Sequence, residues 1–194
     1  MGMKYFDVAI IGSGPSGAST AFYLGKQGIS TVIIEKETLP RYKTCGGGFV
    51  NRGRKDLPFD ISEVIEREFF TVETYFNDNP TKCFQSDKNQ PIITMIMRDS
   101  FDKLIVERAK EFGVTLLENH KLLSIDFAND SSILKTTQGE ISAKFVIAAD
   151  GVLSPTAKMS GWITETRKLI PALEYEVTVS NEDFERFSKS VRFD

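Results

Sequence analysis

Two unbroken apolar runs with a helical pattern between them dominate the first forty positions. Val8, Ala9, Ile10 and Ile11 form the first, short and stopped at once by glycine, which predicts a buried strand. The second, over 31–35, is β-branched and apolar and predicts a parallel strand beside it. Residues 15–27 between them predict a helix, with Pro15 at a first helical position and Gly28 just past the end.

The pattern then becomes mixed. A helical piece is expected over 61–68. Residues 71–76 alternate as a strand, Asn77, Asp78, Asn79 and Pro80 make a turn, and 81–86 return as a hairpin partner. Pro91 opens a strand over 92–97. Phe101, Leu104, Ile105, Ala109 and Phe112 recur at helical spacing, with Asp99 and Ser100 as cap candidates and Gly113 as the stop. Residues 114–117 predict a strand that returns to the first sheet. Short strands at 121–127, 133–137 and 140–144 predict a small meander, and 145–149 a second buried strand. Residues 154–160 predict a helix with Pro155 at its start. Residues 172–180 alternate as a strand, and 190–193 read as the start of another.

The chemistry sits where the first strand meets the first helix. Gly12, Ser13, Gly14, Pro15, Ser16 and Gly17 supply Gly-x-Gly-x-x-Gly directly after a strand and before a helix, and Glu35 closes the next strand. Strand, glycine turn, helix, strand and acid, the last about 20 residues on, make the dinucleotide-binding βαβ pattern. Gly12 permits the turn, Gly14 lets a pyrophosphate approach the backbone, and Gly17 lets the helix pack closely. The first N–H groups of the helix and its dipole favour a phosphate. Glu35 is placed to accept hydrogen bonds from an adenosine ribose.

Two further stretches each leave two readings open. Gly46, Gly47 and Gly48 are either a flexible linker or a backbone lying flat against a planar ligand, with Arg41, Lys43 and Cys45 beside it; the position just after the acid favours the ligand face. Asp150 and Gly151 end a buried strand. They are either a carboxylate aimed into a ligand crevice or an ordinary turn. His120 reads as a surface or capping residue, and Glu174 and Glu176 as a solvated face.

Composition narrows the classes. The chain has 194 residues, 41% hydrophobic and 26% charged, with a net charge of −3. That is ordinary for a globular protein and gives no basic footprint for nucleic acid. One histidine and two cysteines leave no metal set and no disulfide framework. No apolar run is long enough to span a bilayer. The start lacks the basic and apolar regions of a secretory leader, so the cytoplasm is the expected compartment.

Three blocks now stand in order: GSGPSG with Glu35, then MRDSFDKLIVERAKEFGV, then FVIAADGVLSPTAK. Together they resemble the flavoprotein superfamily that includes p-hydroxybenzoate hydroxylase. PRYKTCGGGFVNRG, LPFDISEVIERE and IPALEYEV resemble its geranylgeranyl reductase branch. The resemblance implies an α/β fold: a Rossmann-like FAD-binding domain over 1–70 and 98–165, with inserted β-rich elements, and the beginning of a mixed-sheet substrate domain over 71–97 and 166–194. It implies FAD held by Gly12, Gly14, Pro15, Ser16 and Gly17, with Glu35 and Lys36 at the adenosine end and Arg41 beside the cofactor. It places Cys45, Gly46, Gly47 and Gly48 near the isoalloxazine ring, and Arg98, Asp150 and Gly151 along the ribityl–pyrophosphate chain. It also implies reduction of isoprenoid carbon–carbon double bonds with electrons from NAD(P)H or another donor, and possible peripheral contact with a membrane surface through a lipid substrate. Cys45 is the candidate catalytic residue, either as a proton donor or only as a small residue packed under the ring. A hydroxylase of the same superfamily is the enzyme alternative, and an inert FAD-binding module the other. The family's later Gly-Asp motif does not occur in these residues, so the sequence is expected to be truncated at its C-terminus.

Overall fold

The computed structural model describes residues 3–77, 79–85, 89–162 and 169–193. In chain order its elements begin with β1 (Lys4–Ile11), α1 (Pro15–Lys26), β2 (Thr31–Ile34), β3 (Gly48–Val50) and α2 (Asn51–Lys55). There follow β4 (Ile65–Phe69), β5 (Thr71–Phe76), β6 (Asn79–Gln85), β7 (Ile93–Ile96) and α3 (Arg98–Lys110). The rest are β8 (Thr115–Leu117), β9 (Leu122–Phe127), β10 (Ser132–Thr136), β11 (Gly139–Ala148), α4 (Pro155–Met159), α5 (Asn181–Phe187) and β12 (Val191–Phe193). They fall into two compact units, Met1–Tyr42 with Asp102–Ile170, and Lys43–Phe101 with Pro171–Asp194.

The first unit is built on a six-stranded sheet in the order β8-β2-β1-β11-β10-β9. β8, β2, β1 and β11 run parallel, and β11, β10 and β9 antiparallel. Counted along the chain, the parallel strands stand 3-2-1-4, the order of a doubly wound nucleotide-binding sheet. All four residues of β2 are buried, as a strand with parallel partners on both sides requires. Phe6, Ile11, Val32, Ile34, Leu122, Ile125, Leu134 and Ile141 share one buried cluster. The meander is therefore part of the same core as the parallel strands. α1 approaches closely because Gly25 has no side chain: a Cβ there would stand 2.7 Å from Val114 Cγ2. Phe22 meets the edge of Phe112 on the same side.

The second unit has two three-stranded sheets, β3-β7-β4 and β12-β5-β6. β5 and β6 form a hairpin as expected, but Asn79 and Pro80, expected in the turn, already belong to β6; Asp78 and Ser86 lie outside the described residues. β12 lies parallel to β5. Arg54 of α2 pairs with Glu68 and lies near Thr94, and Arg67 stacks on Phe69 and Phe184.

Several expectations are corrected. Residues 61–68 are not helical: Ser62–Val64 make one 3₁₀ turn, and β4 follows. Pairing of β4 with β7 overrides the local helical spacing. The strands expected at 140–144 and 145–149 are one strand, β11, which pairs with β10 on one side and β1 on the other. Its second half is not buried throughout, since Phe145 is 59% exposed. Residues 172–180 form no strand; among the described strands none pairs with them. The acidic stretch after them is α5, capped by Ser180, whose Oγ accepts from the Asp183 N–H. Residues 43–70, assigned above to the first domain, lie in the second unit, because β3 and β4 both pair with β7.

Leu134 is fully buried between β9 and β11. Leu134→Ala should lower the unfolding free energy by about 2–5 kcal/mol, read as a lower urea midpoint at unchanged slope.

Candidate functional site

In a doubly wound sheet the ligand crevice opens at the carboxyl ends of the strands where the order reverses. Here that place lies between β1 and β11. The turn after β1 and the turn after β11 press together there. Gly12 has φ +101°, and a Cβ on it would stand 2.6 Å from the Ala149 carbonyl oxygen. Any side chain would push the two turns apart. A Cβ on Gly17 would lie 2.0 Å from the Gly12 oxygen, so α1 can begin directly on the turn only with glycine there. Gly14 differs: its Cβ position meets only Arg41 Nη2, at 4.0 Å. Two glycines of the motif are thus demanded by the fold, and the third leaves room beside the backbone.

α1 starts at that open position. Gly14 is its N-cap and supplies no side-chain hydrogen bond, and Pro15 comes first in the helix. The N–H groups of the first turn are those that a helix leaves without intrahelical partners. Open space at Gly14 beside a helix start fits a phosphate group, whose charge the dipole favours. Ser16 is exposed and Gly17 buried.

Glu35 follows β2 and is only 3% exposed. Its Oε2 accepts from the Ser13 N–H at 3.0 Å and the Ser13 hydroxyl at 2.5 Å; its Oε1 accepts from the Glu37 N–H at 3.1 Å. Arg41 Nε lies 3.6 Å from Oε2. Burial pushes the carboxyl pKa up. The hydrogen bonds from Ser13 and Glu37 and the nearby guanidinium outweigh it and hold the group below its ordinary value. Glu35 is therefore ionised and fixed in place, not waiting as an exposed carboxylate. Ser13, itself fully buried, is a site residue that the motif spacing did not single out.

The loop after Glu35 is tied at several points. The Leu39 N–H donates to Glu118 at 2.7 Å, Thr38 pairs with Asn119, and Arg41 Nη1 donates to Asp102 Oδ2 at 3.1 Å. His120 belongs to this fastening: its N–H donates to the Glu35 carbonyl and its Nδ1 lies 2.6 Å from the Glu118 carbonyl. Arg41 is nearly buried and ion-paired, with its Nη2 toward Gly14. Lys36 is exposed and pairs with Glu37 at 3.3 Å.

The Asp150 carboxylate turns to its own chain. It accepts from the Ser154 hydroxyl at 2.5 Å, the Thr156 N–H at 2.9 Å and the Thr156 hydroxyl at 2.7 Å. Burial raises its pKa, but these bonds prevail and lower it. It shapes the turn into α4, while its backbone sits against Gly12. Gly151 has φ +89°, a left-handed conformation that glycine adopts without strain.

The second unit carries the remaining candidates. Cys45 is exposed, and its N–H donates to Glu174 Oε2 at 2.7 Å. Glu174, read above as part of a solvated face, thus holds the backbone at Cys45. Gly46 has open space around its Cβ position. Gly47 has φ +69°, and a Cβ there would lie 2.4 Å from the Ile96 carbonyl oxygen. Gly48 opens β3 opposite Met95. The glycine run is therefore no loose linker: its last two members are set by pairing with β7. Arg98 is the first residue of α3 and is half-buried.

A sequence family described as an FAD binding domain matches residues 5–53 and 60–193. The digeranylgeranylglycerophospholipid reductase of Thermoplasma acidophilum is 26% identical over 200 residues, covering 90% of this chain and 47% of that protein. The chloroplastic geranylgeranyl diphosphate reductase of Nicotiana tabacum is 32% identical over 168 residues, covering 78% of this chain and 35% of that protein. In structure, a geranylgeranyl bacteriochlorophyll reductase-like protein of Thermoplasma acidophilum superposes with a TM-score of 0.72 at 24% identity, over 88% of this chain and 44% of its own. The chain spans about half the length, or less, of these curated relatives.

Both lowered carboxyls give an acid-side dependence. Each stabilises the fold above the ordinary carboxyl range, and that contribution disappears as pH falls through the lower folded value. Tm should therefore drop as pH falls below the ordinary carboxyl range, and Glu35→Gln should flatten the drop. An unchanged slope in Glu35→Gln would show that another group titrates.

Proposed function

The chain belongs to the FAD binding domain family, and we propose that it holds FAD at the β1–α1 turn as part of a flavin-dependent oxidoreductase acting on isoprenoid double bonds. One observation carries the cofactor reading. The glycine turn at the strand-order reversal is closed to side chains at Gly12 and Gly17 but open at Gly14, beside a helix start without a side-chain cap. The substrate class rests on the two reductases named above.

In this reading the backbone at Gly14, Pro15, Ser16 and Gly17 binds the diphosphate. Glu35, ionised and immobile, accepts hydrogen bonds from the adenosine ribose and repels a phosphate on it. Ser13 and Arg41 keep that carboxylate oriented. Asp150, through Ser154 and Thr156, holds the turn whose backbone, with Gly151, faces the cofactor chain, and Arg98 contacts its ribityl–pyrophosphate region. FAD, when bound, supplies hydride chemistry, which the protein orients and shields from water. Cys45 holds at Sγ a proton for the substrate, and Glu174 keeps the Cys45 backbone in place. Electrons come from NAD(P)H or another donor.

Purified chain should quench the fluorescence of added FAD, and anaerobic NADPH should bleach the bound flavin. Glu35→Gln should weaken FAD binding by about tenfold or more, the size of one charge-assisted hydrogen bond. Cys45→Ser should keep flavin binding and lower reduction of a geranylgeranyl substrate. Absence of quenching would overturn the cofactor reading; full activity in Cys45→Ser would overturn the role of the thiol.

A further inference from the structure

Arg41 is placed in an unusual way for a residue in a surface connection. Its side chain is only 10% exposed. A guanidinium that leaves water must be paired, and its planar fork gives the pairing a direction. Two buried carboxylates supply it: Asp102 Oδ2 lies 3.1 Å from Nη1, and Glu35 Oε2 lies 3.6 Å from Nε. Nη1 and Nε are thereby fixed, and with them the guanidinium plane. The third nitrogen, Nη2, then lies 4.0 Å from where a Cβ on Gly14 would stand. The same Gly14 is the N-cap of α1. A fixed positive nitrogen and the positive end of a twelve-residue helix converge on one open backbone position.

Asp102 is fully buried and sits on α3, a regular helix. Glu35 alone, shared with Ser13, would leave the guanidinium free to rotate about a single contact. We propose that Asp102 is a positioning residue for nucleotide diphosphate binding: it does not touch the ligand but holds Arg41 so that Nη2 faces the phosphates at Gly14. The inference rests on the nucleotide reading of the site and adds to it how the phosphate charge is met. The ligand chemistry is a nucleoside diphosphate; an unphosphorylated nucleoside would not sense it.

The test is titration calorimetry of the purified chain with ADP and with adenosine, with melting curves as a control for folding. Wild type should bind ADP more tightly than adenosine. Asp102→Asn should lose about tenfold or more in ADP affinity, the size of a hydrogen bond to a charged group, with adenosine affinity unchanged. Arg41→Met should lose at least as much for ADP, with a smaller loss for adenosine because Arg41 also lies against Glu35, and Asp102→Asn combined with Arg41→Met should be no worse for ADP than Arg41→Met alone. Arg41→Lys keeps the charge and loses the fork, and should lose the ADP preference even if Asp102→Asn does not fold. A merely structural Asp102 would lower both affinities together, or add fully to Arg41→Met; either result overturns the proposal, as does an Arg41→Lys chain with the wild-type preference. Wild type that binds ADP beside an unaffected Asp102→Asn overturns this inference alone. Wild type that binds neither ADP nor FAD overturns the nucleotide reading and the inference with it.

Discussion

The close approach of two turns at Gly12 is the constraint on which the first unit depends. β1 and β11 run parallel and side by side, so their following turns must leave the sheet at the same edge. They can do so only because Gly12 carries no side chain and adopts a positive φ. The start of α1, the open face at Gly14 and the backbone of Asp150 all take their positions from that contact. A residue with a Cβ at position 12 would disturb the core and the candidate site together.

Around this contact the polar groups are arranged economically. Glu35 joins the glycine turn, through Ser13, to the loop that carries Arg41. Arg41 joins that loop to α3 through Asp102. Buried charges are costly unless paired and hydrogen-bonded, and here each charged group meets an opposite charge, with N–H and hydroxyl donors on Glu35. The arrangement is tied together by the protein's own hydrogen bonds and ion pairs, and a site ordered in this way loses less to ordering on binding. The second unit uses another device: β7 sets the geometry of the segment at 46–48, and Glu174 fastens Cys45.

How much of this was legible in the sequence differs by element. The βαβ unit, α3, α4 and the β5–β6 hairpin were legible because local pattern and tertiary environment agree. Residues 61–68 misled because a helical spacing over eight positions is weaker than a ladder with β7. The break expected at 144–145 arose from a change in burial along one strand: β11 has β1 beside it over 141–148 but pairs with β10 only over 139–143, and periodicity cannot show that. Residues 172–180 alternate as a strand should, yet alternation provides no partner.

The same division holds for the site. The sequence by itself determined that a glycine turn stands between strand and helix with an acid after the next strand, because those features are local and depend on spacing. It also marked Arg41, beside the glycine run, and Arg98, but not Asp102. Only the tertiary structure decided that Glu35 is buried and held by Ser13, that the Asp150 carboxylate turns to Ser154 and Thr156, and that Arg41 and Asp102 form one ion pair. Those residues lie far apart along the chain, and a pairing of side chains across 61 positions exists only once the sheet and α3 have brought them together.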